Sequence, residues 1–126
     1  SVTDRNATLW CGFILKSKVG TVYFAGDTGF GPFIHSIAEK FPSIDLALLP
    51  IGAYDPAWMM QPVHTNPDEA IRMFDIVQAK HAVGIHFGTF RLTDEPQDEP
   101  RERIEAHRGK RNFVALENGG TVLLHV

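Results

Sequence analysis

Leu46-Ala47-Leu48-Leu49 (LALL, 46–49), closed by Pro50 and Gly52, is the stretch on which the fold turns. Four apolar residues without polar alternation describe a short strand buried on both faces, as in sheets with parallel pairing. Ala82 to Ile85 has the same character. Between the two runs, Asn66-Pro67-Asp68-Glu69 predicts a helix start, with an Asn cap, Pro at the first helical position and a Glu able to reach back. Ala70, Ile71, Phe74 and Val77 then supply the buried stripe. Strand, helix and strand in that order define an α/β unit. Towards the N-terminus, Leu9 to Leu15, a turn at 16–20 and Thr21 to Ala25 read as an antiparallel hairpin. A helix follows from Pro32 to Lys40, with Phe33, Ile34, Ile37, Ala38 and Phe41 on one face. Towards the C-terminus, Asp94 to Pro100 reads as loop because Pro96 and Pro100 interrupt it, and a polar helix is expected from Arg101 to Arg108. Phe113 to Leu116 and Thr121 to Val126, joined through Asn118-Gly119-Gly120, are expected to form a closing hairpin. The expectation is a single α/β domain over 1–126, a mixed sheet with flanking helices.

Composition narrows the functions. With 126 residues and 44% hydrophobic content the chain can build a core, so intrinsic disorder is not expected. Twelve basic against fifteen acidic residues give a net charge of -3, which leaves no basic excess for a phosphate backbone, and no nucleic-acid partner is predicted. The apolar runs fall far short of the roughly 18 residues of a transmembrane helix. The single cysteine, Cys11, excludes an internal disulfide and fits a reducing compartment, so a cytoplasmic or membrane-peripheral location is expected. Cys11 sits in an apolar strand pattern and reads as a small buried filler. The chain starts at Ser1 without a charged leader, which points to a processed or partial polypeptide. Arg91 to Arg111, with balanced charges, reads as a solvated face.

Three strands end alike: Ala25 runs into Gly26-Asp27-Thr28-Gly29, Leu49 into Pro50-Ile51-Gly52, and Ile85 into His86-Phe87-Gly88. In open α/β sheets the carboxyl ends of strands face one crevice, where ligands bind. Asp27 and His86 are therefore expected to meet despite 59 intervening steps of chain. Carboxylate oxygen and imidazole nitrogen are donors that zinc and related divalent ions accept. The plain structural reading stands beside this one, since an Asp after a strand commonly makes a turn and a strand-end His is commonly just packed. The glycines at 26, 29 and 31 follow neither the dinucleotide nor the P-loop pattern, and Ser17, Ser36 and Ser43 occupy no nucleophile elbow. The loop from Tyr54 to His64 combines Trp58, Met59 and Met60 with Gln61 and two prolines, a composition suited either to a pocket wall or to packing on the core. His64 precedes the Asn66 cap and is placed to project into the same crevice, whereas His35, His81, His107 and His125 have no second donor nearby in the pattern.

FAGDTGFG (24–31), DLALLPIGAYDPAWMM (45–60), HTNPDEA (64–70) and IHFGTFRLTDEPQDEP (85–100) together resemble the metallo-β-lactamase superfamily. The branch containing N-acyl-phosphatidylethanolamine-hydrolysing phospholipase D is the nearest in pattern, and the likeness runs from DRNATLW (4–10) onward. The resemblance implies an αβ/βα sandwich with two metal ions, usually zinc. It gives Asp27 the role of bridging ligand, His86 that of a ligand to the second metal, and His64 a place beside the substrate. Trp58, Met59, Met60 and Gln61 then belong to the substrate wall. The HxHxDH block that supplies most ligands of the first metal is absent from this sequence, as is the ligand His expected before DRN-LW. These 126 residues accordingly read as the C-terminal half of a longer metallo-hydrolase, inactive alone and paired with an N-terminal half or a second copy through an exposed sheet face.

The activity the resemblance implies is hydrolysis of a lipid-like phosphodiester by a hydroxide held between the metals, with Asp27 and His64 as catalytic residues. A lactonase or nucleotide phosphodiesterase of the same superfamily is the alternative within the enzyme class. A non-catalytic half-domain, or a phosphate-binding module, is the alternative outside it.

Overall fold

The computed structural model describes residues 10–125. A tight turn, in which Ser17 N–H donates to the Gly20 carbonyl at 3.0 Å, joins β1 (Phe13–Lys16) to β2 (Thr21–Phe24). These two strands pair antiparallel, with Phe13 opposite Phe24. Then come α1 (Phe33–Lys40), β3 (Leu46–Pro50), α2 (Ala57–Met60), α3 (Pro67–Val77), β4 (His81–Ile85), α4 (Glu99–His107) and β5 (Phe113–Val114). The sheet order is β1-β2-β3-β4-β5, and every pairing after the first is parallel. Parallel neighbours need crossovers, and the helices supply them, so β2, β3 and β4 all release their chain at the same sheet edge.

The expected capping of α3 is complete. The Asn66 side chain accepts from Glu69 N–H at 2.8 Å, the Glu69 carboxylate accepts from Asn66 N–H at 3.1 Å, and Pro67 occupies the first turn. Ala70, Ile71, Met73, Phe74 and Val77 are buried beneath the helix. They pack on a row of residues that the register places side by side, Tyr23, Ala47, Ala82 and Phe113, all buried. The Phe74 and Phe113 rings lie 5.9 Å apart. Ile34 of α1 and Ile104 of α4 are fully buried in the same core. Burial holds the Tyr23 hydroxyl up at about 12.

The opposite face of the sheet differs from the expectation that the LALL strand is buried on both sides. Phe13, Phe24, Leu48, Val83 and Val114 form the register row on that face; Phe13 is exposed and the other four are only half-buried. Leu15 is likewise exposed. Two environments alternate along the run, helices on one side and an only half-buried sheet face on the other.

Four further expectations are corrected. Cys11 is exposed, because it lies outside β1, which is the edge strand of a sheet with one face open. Helix α4 begins at Glu99 rather than Arg101, since Pro100 falls in the first turn, where a missing N–H costs nothing. The closing hairpin does not form: β5 has two residues, and 121–125 carry no strand. Gly120 N–H bonds to the Glu117 carbonyl at 2.8 Å, but only Gly119 of the two central residues has positive φ (83°). That is the geometry of a type II turn, which splays flanking strands, whereas a two-residue hairpin needs positive φ at both positions or at the first. Finally, the segment 57–60, read as loop, makes the single-turn helix α2. The parts of the expected elements on Leu9 and Val126, and DRNATLW over 4–9, lie outside the described residues.

Candidate metal centre

Asp27, His64 and His86 come together at the strand-end edge, with one ligand atom of each lying within 4.8 Å of the others. Each arrives by a separate route. Asp27 follows β2, whose extension is held to β3 by an Ala25 N–H bond to the Leu48 carbonyl at 3.0 Å. The next residue, Thr28, accepts at its carbonyl from the fully buried Thr65 hydroxyl at 2.6 Å. This bond ties the Asp27 loop to the segment carrying His64. His64 sits between α2, where its N–H bonds to the Met60 carbonyl at 2.8 Å, and the capped start of α3. His86 leaves β4 with φ of 61°, a left-handed conformation uncommon outside glycine, though His, like Asn and Asp, adopts it more often than other residues.

The carboxylate of Asp27 faces both rings. Oδ1 lies 2.9 Å from His64 Nδ1, and Oδ2 lies 3.5 Å from His86 Nε2. The imidazoles stack with centroids 5.5 Å apart and planes 22° from parallel. At 2.9 Å the His64–Asp27 contact has the length of a hydrogen bond but not its direction, and the buried Nδ1 is left without a hydrogen-bond partner. A buried nitrogen without a partner is costly unless another group uses its lone pair. Two ligands on one tetrahedral zinc stand roughly 3.3 Å apart, so the spacing, the donor types and the unpartnered nitrogen all fit a divalent ion. Three donors remain short of two complete ligand sets.

The surroundings are apolar. Asp27 borders a groove of about 500 Å³ beside Phe13, Ile14, Phe33 and Phe41, and with His64 it borders another of about 390 Å³ beside Trp10, Pro62 and Val63. His86 borders a third, of about 320 Å³, with Ala53, Phe87, Phe90 and Leu92. Among the described residues no Lys or Arg lines these three grooves, and Trp58, Met59, Met60 and Gln61 line none of them. Trp58, Met59 and Gln61 are exposed on and after α2, and Met60 is half-buried.

Sequence reasoning missed Glu95. Read as part of a solvated face, it is buried (7% exposed) and accepts from Ala53 N–H at 2.7 Å, Asp55 N–H at 3.1 Å and the Thr93 hydroxyl at 2.8 Å. Burial pushes its carboxyl upward, but those hydrogen bonds outweigh it and hold the group below the ordinary glutamate value. Also unforeseen is the partner of His107, whose Nδ1 lies 2.5 Å from Asp68; Arg103 pairs with the same carboxylate. His81 contacts the His125 carbonyl at 3.1 Å, and neither residue joins the cluster.

The family model described as "Beta-lactamase superfamily domain" matches residues 1–87. The chain belongs to the metallo-β-lactamase superfamily. Among superfamily relatives, it is 37% identical to N-acyl-phosphatidylethanolamine-hydrolyzing phospholipase D 1 of Caenorhabditis elegans, over 94% of this chain and 35% of that protein. It is 40% identical to the mitochondrial N-acyl-phosphatidylethanolamine-hydrolyzing phospholipase D of Saccharomyces cerevisiae, over 83% of this chain and 23% of that protein. The structure superposes with a TM-score of 0.65 on Igni18, a metallo hydrolase from the archaeon Ignicoccus hospitalis, at 25% identity, covering 91% of this chain and 46% of the other. The chain thus spans about a third or less of the length of the two phospholipase relatives. The superfamily's mixed sheet with flanking helices is the architecture expected from the sequence. No described helix is long and apolar enough to cross a membrane.

Proposed function

We propose that Asp27, His64 and His86 form one side of a divalent-metal centre that hydrolyses phosphodiesters carrying a lipid-like group. The unpartnered, buried Nδ1 of His64, 2.9 Å from the Asp27 carboxylate and grouped with His86, is the observation that carries this reading. When bound, such ions, two zincs in our reading, lower the pKa of water and polarise the ester oxygen under attack. The residues of the chain then have distinct tasks. Asp27 turns one oxygen towards each imidazole, so its carboxylate can serve both sides of the centre and fix their spacing. His86 holds the far side. His64, at the mouth of the groove with Pro62 and Val63, is placed to meet the phosphoryl group as well as the carboxylate. Among the described residues no Lys or Arg lines the adjoining grooves, so in this reading the cluster itself meets the charge of the scissile group.

The remaining donors, in this reading, come from further polypeptide seated on the open sheet face, the N-terminal half of a longer hydrolase. The apolar grooves and the likeness to the two phospholipase D relatives favour a lipid-like ester over a soluble one. The test uses the intact protein, with metal content measured beside turnover on lipid and water-soluble phosphodiesters. Asp27→Asn should lower both metal content and rate; retention of full occupancy and full rate would sink the assignment. Turnover of soluble esters alone would remove the lipid component and leave a lactonase or nucleotide phosphodiesterase.

A further inference from the structure

We infer that Glu95 is a positioning residue for His86, acting through the arch formed by residues 52–55. Left-handed backbone at a non-glycine residue persists only where its surroundings hold it, and both His86 (φ 61°) and Ala53 (φ 63°) are in that region. The two are in mechanical contact. A Cβ placed on Gly52 would lie 2.3 Å from the His86 carbonyl oxygen and 2.9 Å from Phe87 Cβ, so the bare backbone of Gly52 packs directly on the His86–Phe87 peptide. One residue earlier, Ile51 N–H donates to the Ile85 carbonyl at 3.0 Å, which docks the start of the arch on the end of β4.

The far side of the arch is fixed by Glu95. Its Oε1 takes the Ala53 N–H and its Oε2 takes the Asp55 N–H, while Asp94 N–H donates to the Asp55 carbonyl at 3.1 Å. Glu95 itself is reached by the chain that departs from His86 and runs through Phe87 to Thr93. A closed circuit results: from His86 along the strap to Glu95, by two hydrogen bonds to the arch, and by the close approach of Gly52 back to His86. One carboxylate thereby clamps both N–H groups flanking Tyr54 and prevents the arch from withdrawing from His86.

The inference rests on the metal-centre reading for its functional meaning, and its test separates the two. In the metal-free protein, backbone and ring resonances of His86 are compared between wild type, Glu95→Gln and Glu95→Ala by NMR. Glu95→Ala should shift His86 as well as Ala53 and Asp55, with Glu95→Gln, which keeps one acceptor oxygen, falling between. Shifts confined to Ala53 and Asp55 would overturn the inference whatever the fate of the metal reading. Zinc affinity is then measured by competition with a chelating dye. Glu95→Ala should weaken it about 10- to 100-fold, the range for residues that orient ligands, and Glu95→Gln by less. The loss should vanish when His86 is already replaced by Ala. An equal loss in that background, or one matched by Asp75→Ala, which breaks the remote Arg111 pair, would show a general loss of stability and overturn it.

Discussion

At position 86 the backbone and the side chain make separate demands. The left-handed conformation costs a typical L-residue roughly 1–3 kcal/mol, and Asn tolerates it better than most. His86→Asn should therefore keep the fold within about 1 kcal/mol while removing one donor, whereas His86→Val should lose the donor and a further 1–2 kcal/mol or so of stability; urea midpoints distinguish them. Gly52→Ala should cost about 1–3 kcal/mol, since the added methyl meets the fixed carbonyl of His86. Asp27 and His86 were legible in the sequence because each lies within two residues of a glycine at the end of an apolar run, and strand ends converge. Glu95 was not. An acid in a proline-interrupted, highly charged loop looks the same on paper whether it faces water or three hydrogen-bond donors.

Helix α3 illustrates how much one element can carry. Its cap and the two residues before it act at once: Asn66 closes the helix, Thr65 ties the Asp27 loop, and His64 joins the cluster. Asn66→Ala should cost about 1 kcal/mol, seen as a lower urea midpoint with unchanged slope. Every reading of this helix could be made from its residues, since capping is local chemistry. The closing hairpin failed for the converse reason: Asn-Gly names a turn, but which of two residues takes positive φ decides whether strands can follow. Between α3 and α4, burial would raise the Asp68 carboxyl, yet Arg103 and His107 hold it below its ordinary value of 3.8; Glu95 is held below 4.5 by its own donors. Carboxyls lowered in the folded state stabilise it fully above their unfolded values and lose that contribution as pH falls through the folded ones. The stability these two carboxyls lend should accordingly begin to fall as pH drops below about 4.5, and Asp68→Asn should flatten that limb of the urea-midpoint profile against pH.

For the whole molecule, the open sheet face is the feature the LALL run concealed, because a strand with one covered and one half-buried face gives the same apolar string as a strand covered on both. Phe13 and Leu15 are exposed beside half-buried apolar neighbours, and a contiguous exposed apolar face marks an interaction site. Alone, the 126-residue chain should bind hydrophobic dyes and elute above monomer mass in light scattering; a clean monomer with ordinary dye binding would count against a seated partner.

The parallel order of β2, β3 and β4 has a thermal consequence. Residues 27, 64 and 86 belong to different crossovers, so an unravelled chain scatters them and an ion with a single tight site finds it only in the folded form. Free ion at a hundred times its dissociation constant should then add about 2.7 kcal/mol to folding, and a chelator should remove it. A melting curve, taken with and without chelator, becomes an occupancy gauge that needs no substrate at all.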